Sequence, residues 1–326
     1  MRKKIAITRA LPFDLEEILP SEQFELKIWQ KEMGPTKAEL REFAHDVDGL
    51  ISLLTDQIDE EFLSCNPNLR AIAQYAVGVN NIDLPACAKK GIVVSNTPDV
   101  LTQATANLAF ALMLSLARRI PESQKSAARG EWLDWMPTKF LGLELQGATL
   151  GIFGMGRIGQ AMAELCQKSF GMKIVFSHYK KMTIKNAEQV PIEELLSQSD
   201  IVSVHAPLTT VTRDFFNLEK FSLMKEQSIF LNTARGELVK TDDLVQSLES
   251  GKFLGVGLDV TAPEPLPANS PLYQFDRVLI TPHIASAEGP VRRKMAMMVA
   301  KQIKSALNNE RPANLVDVSL IQGRVK

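Results

Sequence analysis

The chain has 326 residues, 45% of them hydrophobic and 23% charged, with a formal net charge of −1. That balance gives no electrostatic case for nucleic acid or an anionic membrane as partner, and no apolar run approaches the ~18 residues of a membrane span. Three cysteines (Cys65, Cys87 and Cys166), odd in number and without metal-ligand spacing, predict reduced thiols, no metal and a cytoplasmic setting, in a chain long enough for two domains.

The opening, Met1-Arg-Lys-Lys-Ile-Ala-Ile-Thr-Arg9, is basic, but its apolar run is too short for a signal-peptide core. Within it, Ile5–Thr8 reads as a strand. Gly49–Leu54, Ala71–Val77 and Ile92–Asn96 read likewise, with helices expected at Asp14–Leu19, Thr36–Phe43, Asp59–Cys65 and Leu84–Lys90. Alternating β and α predicts a parallel sheet with helices on its faces. The strands are apolar almost throughout, as burial on both faces requires. Pro98 cannot continue a central strand and sets a new direction, so residues 1–99 are expected to form the first part of one domain.

A helical run follows from Leu101 to Arg119. Between Ala104 and Leu116 it is apolar almost all round, which predicts burial, either between domains or between subunits. Helix resumes over Glu122–Gly130, and then Trp132, Trp135, Pro137 and Phe140 make an aromatic, irregular segment. That segment either packs locally or meets another subunit.

Next comes Ala148-Thr-Leu-Gly-Ile-Phe-Gly154-Met155-Gly156-Arg157-Ile158-Gly159, a strand-like run, three glycines in G-x-G-x-x-G spacing and the start of a helix. Gly154 permits a tight turn, Gly156 lets the backbone approach a pyrophosphate, and Gly159 lets helix and strand pack closely. The phosphates would lie over the helix N-terminus near Arg157. Further strands are expected at Lys173–Ser177, Asp200–Ala206, Ser228–Thr233, Gly255–Val260 and Arg277–Thr281, with helices at Ile158–Phe170, Ile192–Gln198 and Asp242–Ser250. Six strands in βαβ order make a complete dinucleotide-binding domain over residues 100–286. A last helix, roughly Gly289–Asn308, would then return to the first domain, so that 287–326 complete it. The fold class expected is α/β, with two Rossmann-like domains built on parallel sheets. One is a discontinuous substrate domain and the other binds the dinucleotide, the two chain crossings acting as a hinge.

In open α/β sheets the ligand lies beyond the carboxyl ends of the strands. Those ends read Ser177-His178, His205-Ala206-Pro207, Thr233-Ala234-Arg235-Gly236, Asp259 and Thr281-Pro-His283, with Glu264 on a proline-rich loop at the same end. The parts suit hydride transfer to a 2-oxo acid. His283 is the natural proton donor to the developing alkoxide, and Glu264 would orient its imidazole. Arg235 offers a fixed charge and a forked donor to the substrate carboxylate. Gly78, after Val77, ends a strand of the other domain and would bring backbone N–H groups to the same carboxylate. His45, on a polar helix-like run, is read as a surface residue, and His205 lines the cofactor side without a carboxylate partner.

These motifs carry a resemblance. Tyr75-Ala-Val-Gly78-Val-Asn-Asn-Ile-Asp83, Asn96-Thr-Pro-Asp-Val-Leu-Thr102, the glycine fingerprint, Asn232-Thr-Ala-Arg235-Gly236, Gly257-Leu-Asp259-Val-Thr-Ala-Pro-Glu264-Pro-Leu-Pro267 and Thr281-Pro-His283-Ile stand in order along nearly the whole chain. The sequence resembles the D-isomer-specific 2-hydroxyacid dehydrogenases, and within them the glyoxylate/hydroxypyruvate reductases most. The resemblance implies that Arg235 anchors the substrate carboxylate, His283 is the acid/base and Glu264 its partner. It puts Asp259 and Thr105 at the nicotinamide end, and Leu53, Val77 and Gly78 at the substrate. It also implies a homodimer in which a tryptophan, here best matched by Trp135, reaches toward the partner subunit's pocket. The remaining cofactor contacts expected are Gly154, Met155, Gly156, Arg157, Ile158, Gly159, Ala206, Pro207, Thr233, Ala234 and Ala285, with Arg235 and His283 facing both ligands.

An NAD-preferring site wants Asp or Glu at the end of the second strand of the dinucleotide fold. Here the chain reads Ser177-His178-Tyr179-Lys180-Lys181. Ser177 can bond a 2′-phosphate and Lys180 or Lys181 can neutralise it, so NADP(H) is the expected preference. No arginine stands there, as it does in some NADP-preferring relatives, and use of NAD(H) stays open. The loops at Leu53, Val77 and Gly78 carry no charge for a second anionic group, which favours glyoxylate and hydroxypyruvate over phosphorylated acids. The alternatives are a D-lactate-type or bulkier 2-oxo acid dehydrogenase using NAD(H), and a dinucleotide-sensing scaffold of the kind found among relatives. The short tails of this chain weigh against the scaffold, and an end at Lys326 leaves no room for an added regulatory domain.

Overall fold

The computed structural model describes residues 1–316. The expected completion of the first domain by residues 287–326 therefore falls partly, from 317 on, outside the described residues. Two compact units are present, one of Met1–Val100 with 287 onward and one of Leu101–Ser286.

The first unit begins with β1 (Lys3–Ile7), β2 (Phe24–Ile28), α1 (Lys37–Phe43), β3 (Gly49–Ser52), α2 (Glu60–Ser64), β4 (Ala71–Gln74), α3 (Leu84–Lys89) and β5 (Val93–Ser95). The five strands are ordered β2-β1-β3-β4-β5 and every pairing is parallel. Local chemistry sets the helix starts. Thr36 and Glu39 form a reciprocal capping box at α1, while the side chains of Asp59 and Asp83 accept N–H groups at the starts of α2 and α3.

One strand here lies outside the expected set, and one expected helix needs correction. The alternation Phe24-Glu-Leu-Lys-Ile28 is an edge strand, with Phe24 buried and Glu25 and Lys27 exposed. The helix expected at Asp14–Leu19 is a single 3-10 turn, Leu15–Glu17, because Pro20 has no N–H and disfavours helical backbone in Leu19.

The second unit contains α4 (Thr102–Ala117), α5 (Ile120–Ala128), β6 (Thr149–Phe153), α6 (Arg157–Phe170), β7 (Lys173–Ser177), β8 (Ala187–Gln189), α7 (Ile192–Gln198), β9 (Ile201–Val204), α8 (Leu218–Leu223), β10 (Ser228–Asn232), α9 (Thr241–Glu249), β11 (Phe253–Leu258) and β12 (Val278–Ile280). Its seven strands, all parallel, run β12-β11-β10-β9-β6-β7-β8. Chain order moves outward from β6 in one direction, then restarts at β9 on its other side. The gap between the ends of β6 and β9 is thus the topological switch point, where such sheets bind ligands. The expected six strands omitted β8, which is short and polar. Within this single chain, Asn107 and Ala111 keep one face of α4 exposed, while Ala104, Ala106, Ala109, Leu112, Met113 and Leu116 are buried.

The last helix, α10 (Gly289–Leu307), belongs to the first unit. Ala296, Val299, Ala300, Ile303 and Leu307 join Ile5, Ile51 and Ala73 in one buried cluster. Polar ties fix the helix as well: Gln302 donates to the Asn96 carbonyl at 3.0 Å and the Tyr75 hydroxyl to the Arg292 carbonyl at 2.8 Å. The first sheet is therefore closed by both ends of the sequence, because α10 covers apolar strand surface that water would otherwise meet.

Candidate active site

At the switch point, Gly154 adopts φ +99° and packs so closely on the neighbouring strand end that a Cβ would lie 2.5 Å from the Ala206 nitrogen. A Cβ on Gly159 would stand 2.5 Å from the Gly154 carbonyl oxygen, so the helix can follow the strand this tightly only with glycine there. A Cβ on Gly156, by contrast, would meet open space. Gly156 also caps α6 without any side-chain hydrogen bond, so the first turn turns its N–H groups outward. Met155 is fully buried, and Gln160 donates to its carbonyl oxygen at 3.2 Å. Exposed backbone at Gly156, a helix N-terminus uncapped by side chains and a turn that excludes Cβ atoms fit a pyrophosphate.

Beyond the same edge lie Ala206, Thr233, Ala234 and Ala285, the first, second and last of them buried. The Thr233 hydroxyl is buried and finds no partner among the described residues, an orphan donor of the kind a bound ligand satisfies. Pro207 is exposed, its carbonyl taking the Thr212 hydroxyl at 2.8 Å. Thr105 is buried in the second turn of α4. His205 bonds Ser203 Oγ through Nε2 at 2.8 Å, and burial pulls its imidazole down to about 4, so the ring is neutral at pH 7.

The chemistry-bearing side chains sit on three adjoining loops. Arg235 follows β10, Glu264 follows β11 and His283 follows β12. Gly236 makes the first two loops neighbours: its ideal Cβ would lie 2.0 Å from Thr261 backbone atoms, so only glycine lets the chain after Arg235 rest on the backbone leading to Glu264. Glu264 Oε1 stands 2.6 Å from His283 Nδ1. A carboxylate only accepts, so Nδ1 carries the hydrogen and Nε2 is the atom left to hold or release a second proton. Burial lowers the basicity of the Arg235 guanidinium, while the charges of Glu264 and Glu237 act to raise it. Its intrinsic basicity is so high that it remains a cation.

Two residues hold this arrangement. Asp259, almost fully buried, accepts the Thr281 hydroxyl at 2.6 Å and the N–H groups of Ile284 and Ala285 at 2.8 and 2.9 Å, while its carbonyl takes the His283 N–H at 3.0 Å. Burial raises its carboxyl, and those donors pull it back toward ionisation. The turn so held keeps His283 at φ +52°, an uncommon setting for a residue with a side chain. Asn232, fully buried, donates to the Arg235 carbonyl at 2.8 Å and accepts the Ala234 N–H at 3.0 Å, fixing the arginine loop. Sequence reading quoted Asn232 within a motif without giving it work. The available signal was its place at a buried strand end, where an asparagine needs partners.

In the first unit, the structure brings Leu53, Val77 and Gly78 together on the loops after β3 and β4. Asn81 donates to the Leu53 carbonyl at 3.0 Å, Gln74 to the Gly78 carbonyl at 3.3 Å, and Gln74 also to Asn81 Oδ1 at 2.8 Å. Asp56 accepts the Leu53 N–H at 2.7 Å. None of these tethering residues was singled out in the sequence. Trp132 and Trp135 are 78% and 80% exposed, so local packing does not account for them. His45 is exposed.

At the end of β7, Ser177 is partly buried and Lys180 and Lys181 are exposed, with no carboxylate in the segment. The His178 and Tyr179 rings lie 4.6 Å apart, and the Lys180 ammonium sits 5.3 Å from the Tyr179 ring centre.

Comparison with known proteins gives this geometry a family. The family model described as "D-isomer specific 2-hydroxyacid dehydrogenase, NAD binding domain" matches residues 110–285, more than half of the chain. The chain belongs to that family. This dehydrogenase is 42% identical to a glyoxylate reductase of Korarchaeum cryptofilum over 332 residues, covering 99% of this chain and 98% of the relative. Its fold is similar to that of the TT0316 protein from Thermus thermophilus, with a TM-score of 0.91, 42% identity and coverage of 96% of this chain and 100% of that one. It is also similar to an NADPH-dependent glyoxylate/hydroxypyruvate reductase from Sinorhizobium meliloti, solved with NADP and malonate. There the TM-score is 0.84 at 28% identity, with 97% of each chain covered. The dehydrogenase is thus an α/β oxidoreductase whose cofactor is a nicotinamide dinucleotide.

Proposed function

We propose that this dehydrogenase reduces small 2-oxo acids, glyoxylate and hydroxypyruvate, to 2-hydroxy acids, with NADPH preferred and NADH also used. The observation that carries the reading is the 2.6 Å Glu264–His283 pair, bridging the loops after β11 and β12 beside that of Arg235, at the carboxyl edge of the sheet that bears the glycine fingerprint. When bound, the cofactor supplies the hydride. His283 gives its Nε2 proton to the substrate carbonyl oxygen, and the Glu264 carboxylate stabilises the charge on the imidazole before that transfer. Arg235 holds the substrate carboxylate through two N–H groups. Val77 and Gly78 are assigned to substrate binding through their backbone N–H groups.

The small-substrate reading is supported by the uncharged side chains at Leu53, Val77 and Gly78, and by the glyoxylate reductase name of the Korarchaeum relative. For NADPH, the support is a strand end with Ser177, Lys180 and Lys181 and no acid, together with the Sinorhizobium relative solved with NADP. Asp259 and Thr105 take the nicotinamide end, and Gly154 to Gly159 the pyrophosphate. A second copy of this chain is the partner we assign to the exposed Trp132, Leu133, Trp135 and Met136. The three free thiols support a cytoplasmic setting.

The test is absorbance at 340 nm with glyoxylate, hydroxypyruvate and pyruvate, each against NADPH and NADH. Fast oxidation of NADPH by the first two acids is expected. Turnover confined to pyruvate or bulkier acids with NADH would replace this reading by a D-lactate-type one.

A further inference from the structure

The loop after β7 runs from His178 to Thr183, and the carboxamide of one distant residue organises its backbone. Gln189 is the last residue of β8 and pairs in register with Phe176, immediately before Ser177. Its Nε2 donates to the His178 carbonyl at 3.0 Å and to the Lys180 carbonyl at 2.9 Å, while its Oε1 accepts the Met182 N–H at 2.8 Å. Three backbone groups spread over five residues are thus gathered on one planar group. Within the loop, the Lys180 N–H also bonds His178 Nδ1 at 3.2 Å.

The arrangement bears on charge. Lys180 and Lys181 are exposed, and their ammonium groups are carried on long stems. Where such a cation can reach is set by the path of its backbone, and an irregular loop keeps one path only if its backbone polar groups are satisfied in it. Gln189 supplies that constraint from a strand of the sheet. Methionine or leucine at 189 would fit an edge strand equally well but would leave those three groups to water.

We infer that Gln189 is a positioning residue that sets this dehydrogenase's discrimination for the 2′-phosphorylated cofactor, by holding the Ser177–Lys181 segment in one phosphate-accepting conformation. The inference rests on the NADPH preference proposed above. Gln189 touches the loop and acts through it. Its removal affects ligands that carry the 2′-phosphate and spares those that lack it.

The test uses the full chain and the variant Gln189→Met, with adenosine 2′,5′-bisphosphate and AMP as paired calorimetric probes. The wild type is expected to bind the bisphosphate more tightly than AMP. In the variant, bisphosphate affinity falls about tenfold, AMP affinity stays within about twofold, and the KM for NADPH rises while the KM for NADH and kcat hold. Amide hydrogen exchange should speed up over 178–183 and leave β7 unchanged. Wild-type protein that binds both probes equally would remove the cofactor reading and this inference together. A wild type that discriminates, with a variant that discriminates as well, removes the inference alone. Equal weakening for both probes would show general damage instead of positioning and also overturns it. If the methionine variant fails to fold, Gln189→Asn keeps a neutral carboxamide but is one methylene too short to hold all three backbone groups, and is expected to lose the same discrimination.

Discussion

Glu264 and His283 meet at 2.6 Å although nineteen positions separate them, one on the loop after β11 and the other on the turn after β12. Asp259 binds the histidine turn with both carboxylate oxygens, while Glu264 accepts from Nδ1. His283→Ala removes the proposed proton donor and is expected to lower kcat by roughly 10²- to 10⁴-fold with nucleotide affinity nearly intact. Glu264→Gln keeps the shape and the Nδ1 hydrogen bond but loses the charge, so its kcat should fall less. Steady-state kinetics with calorimetric cofactor binding checks both, and near-normal turnover in His283→Ala would place the acid elsewhere.

Arg235 is expected to act by geometry as much as by charge. Lysine keeps the charge but has a single, strongly hydrated nitrogen in place of the planar fork. Arg235→Lys should therefore raise KM for the 2-oxo acid roughly ten- to hundredfold, as losing a charge-assisted hydrogen bond does, with little change in cofactor KM. An unaltered substrate KM would mean that the carboxylate binds elsewhere.

The strands and the site were legible to different depths. Buried strands such as Ile201–Val204 and Ser228–Asn232 declare themselves because burial on both faces demands apolar residues. The edge strands β2 and β8 do not. One alternates with charge and the other is three polar or small residues, and pairing along one side only needs no stronger pattern. α8 was missed because six residues after an Asn217 cap carry too little periodicity. Strand-end reasoning leads to Arg235, Glu264 and His283, since chemistry collects where parallel strands stop. It points at most to Asn232, by its buried strand end, and not to Asn81 or Gln189. Their work lies in hydrogen bonds to backbone groups, and which backbone group a side chain meets is decided by tertiary packing.

Gly154 offers a test of the turn itself. Alanine there meets both obstacles, a φ of +99° and a Cβ 2.5 Å from the Ala206 nitrogen. Backbone is in the way on the neighbouring strand, so no flexible side chain can give. Gly154→Ala should lower the melting temperature by several degrees, as ~1–3 kcal/mol of backbone strain does, and weaken NADPH binding. Gly156→Ala, with open space around its Cβ, should retain the melting temperature and lose only cofactor affinity. Thermal unfolding with and without NADPH separates the two.

Cofactor choice is exposed to a single substitution. Ser177→Asp places a carboxylate at the end of β7, where it accepts from ribose hydroxyls and repels a 2′-phosphate. The ratio of kcat/KM for NADPH over NADH should fall by at least about tenfold, a change of ~1.4 kcal/mol. A ratio that stays put would separate this strand end from cofactor selection.

His205 predicts how stability depends on pH. Burial holds its folded-state value at about 4, against an ordinary 6.5. As pH falls through 6.5 the unfolded chain takes up a proton there while the folded chain does not, until about 4. The unfolded state binds more protons in that window, so this residue's contribution is complete above 6.5 and is lost progressively toward 4. The full shift is worth ~3 kcal/mol, and about 2 kcal/mol is expected because the residue keeps some contact with solvent. His205→Asn can still bond Ser203 and has no charge to gain. Urea unfolding at pH 7.5 and 4.5 should show the wild type losing about 2 kcal/mol more than the variant between the two conditions. Comparing each protein with itself cancels the carboxylates they share, along with any fixed cost of the substitution. Equal losses would mean that the imidazole titrates alike in the folded and unfolded chains.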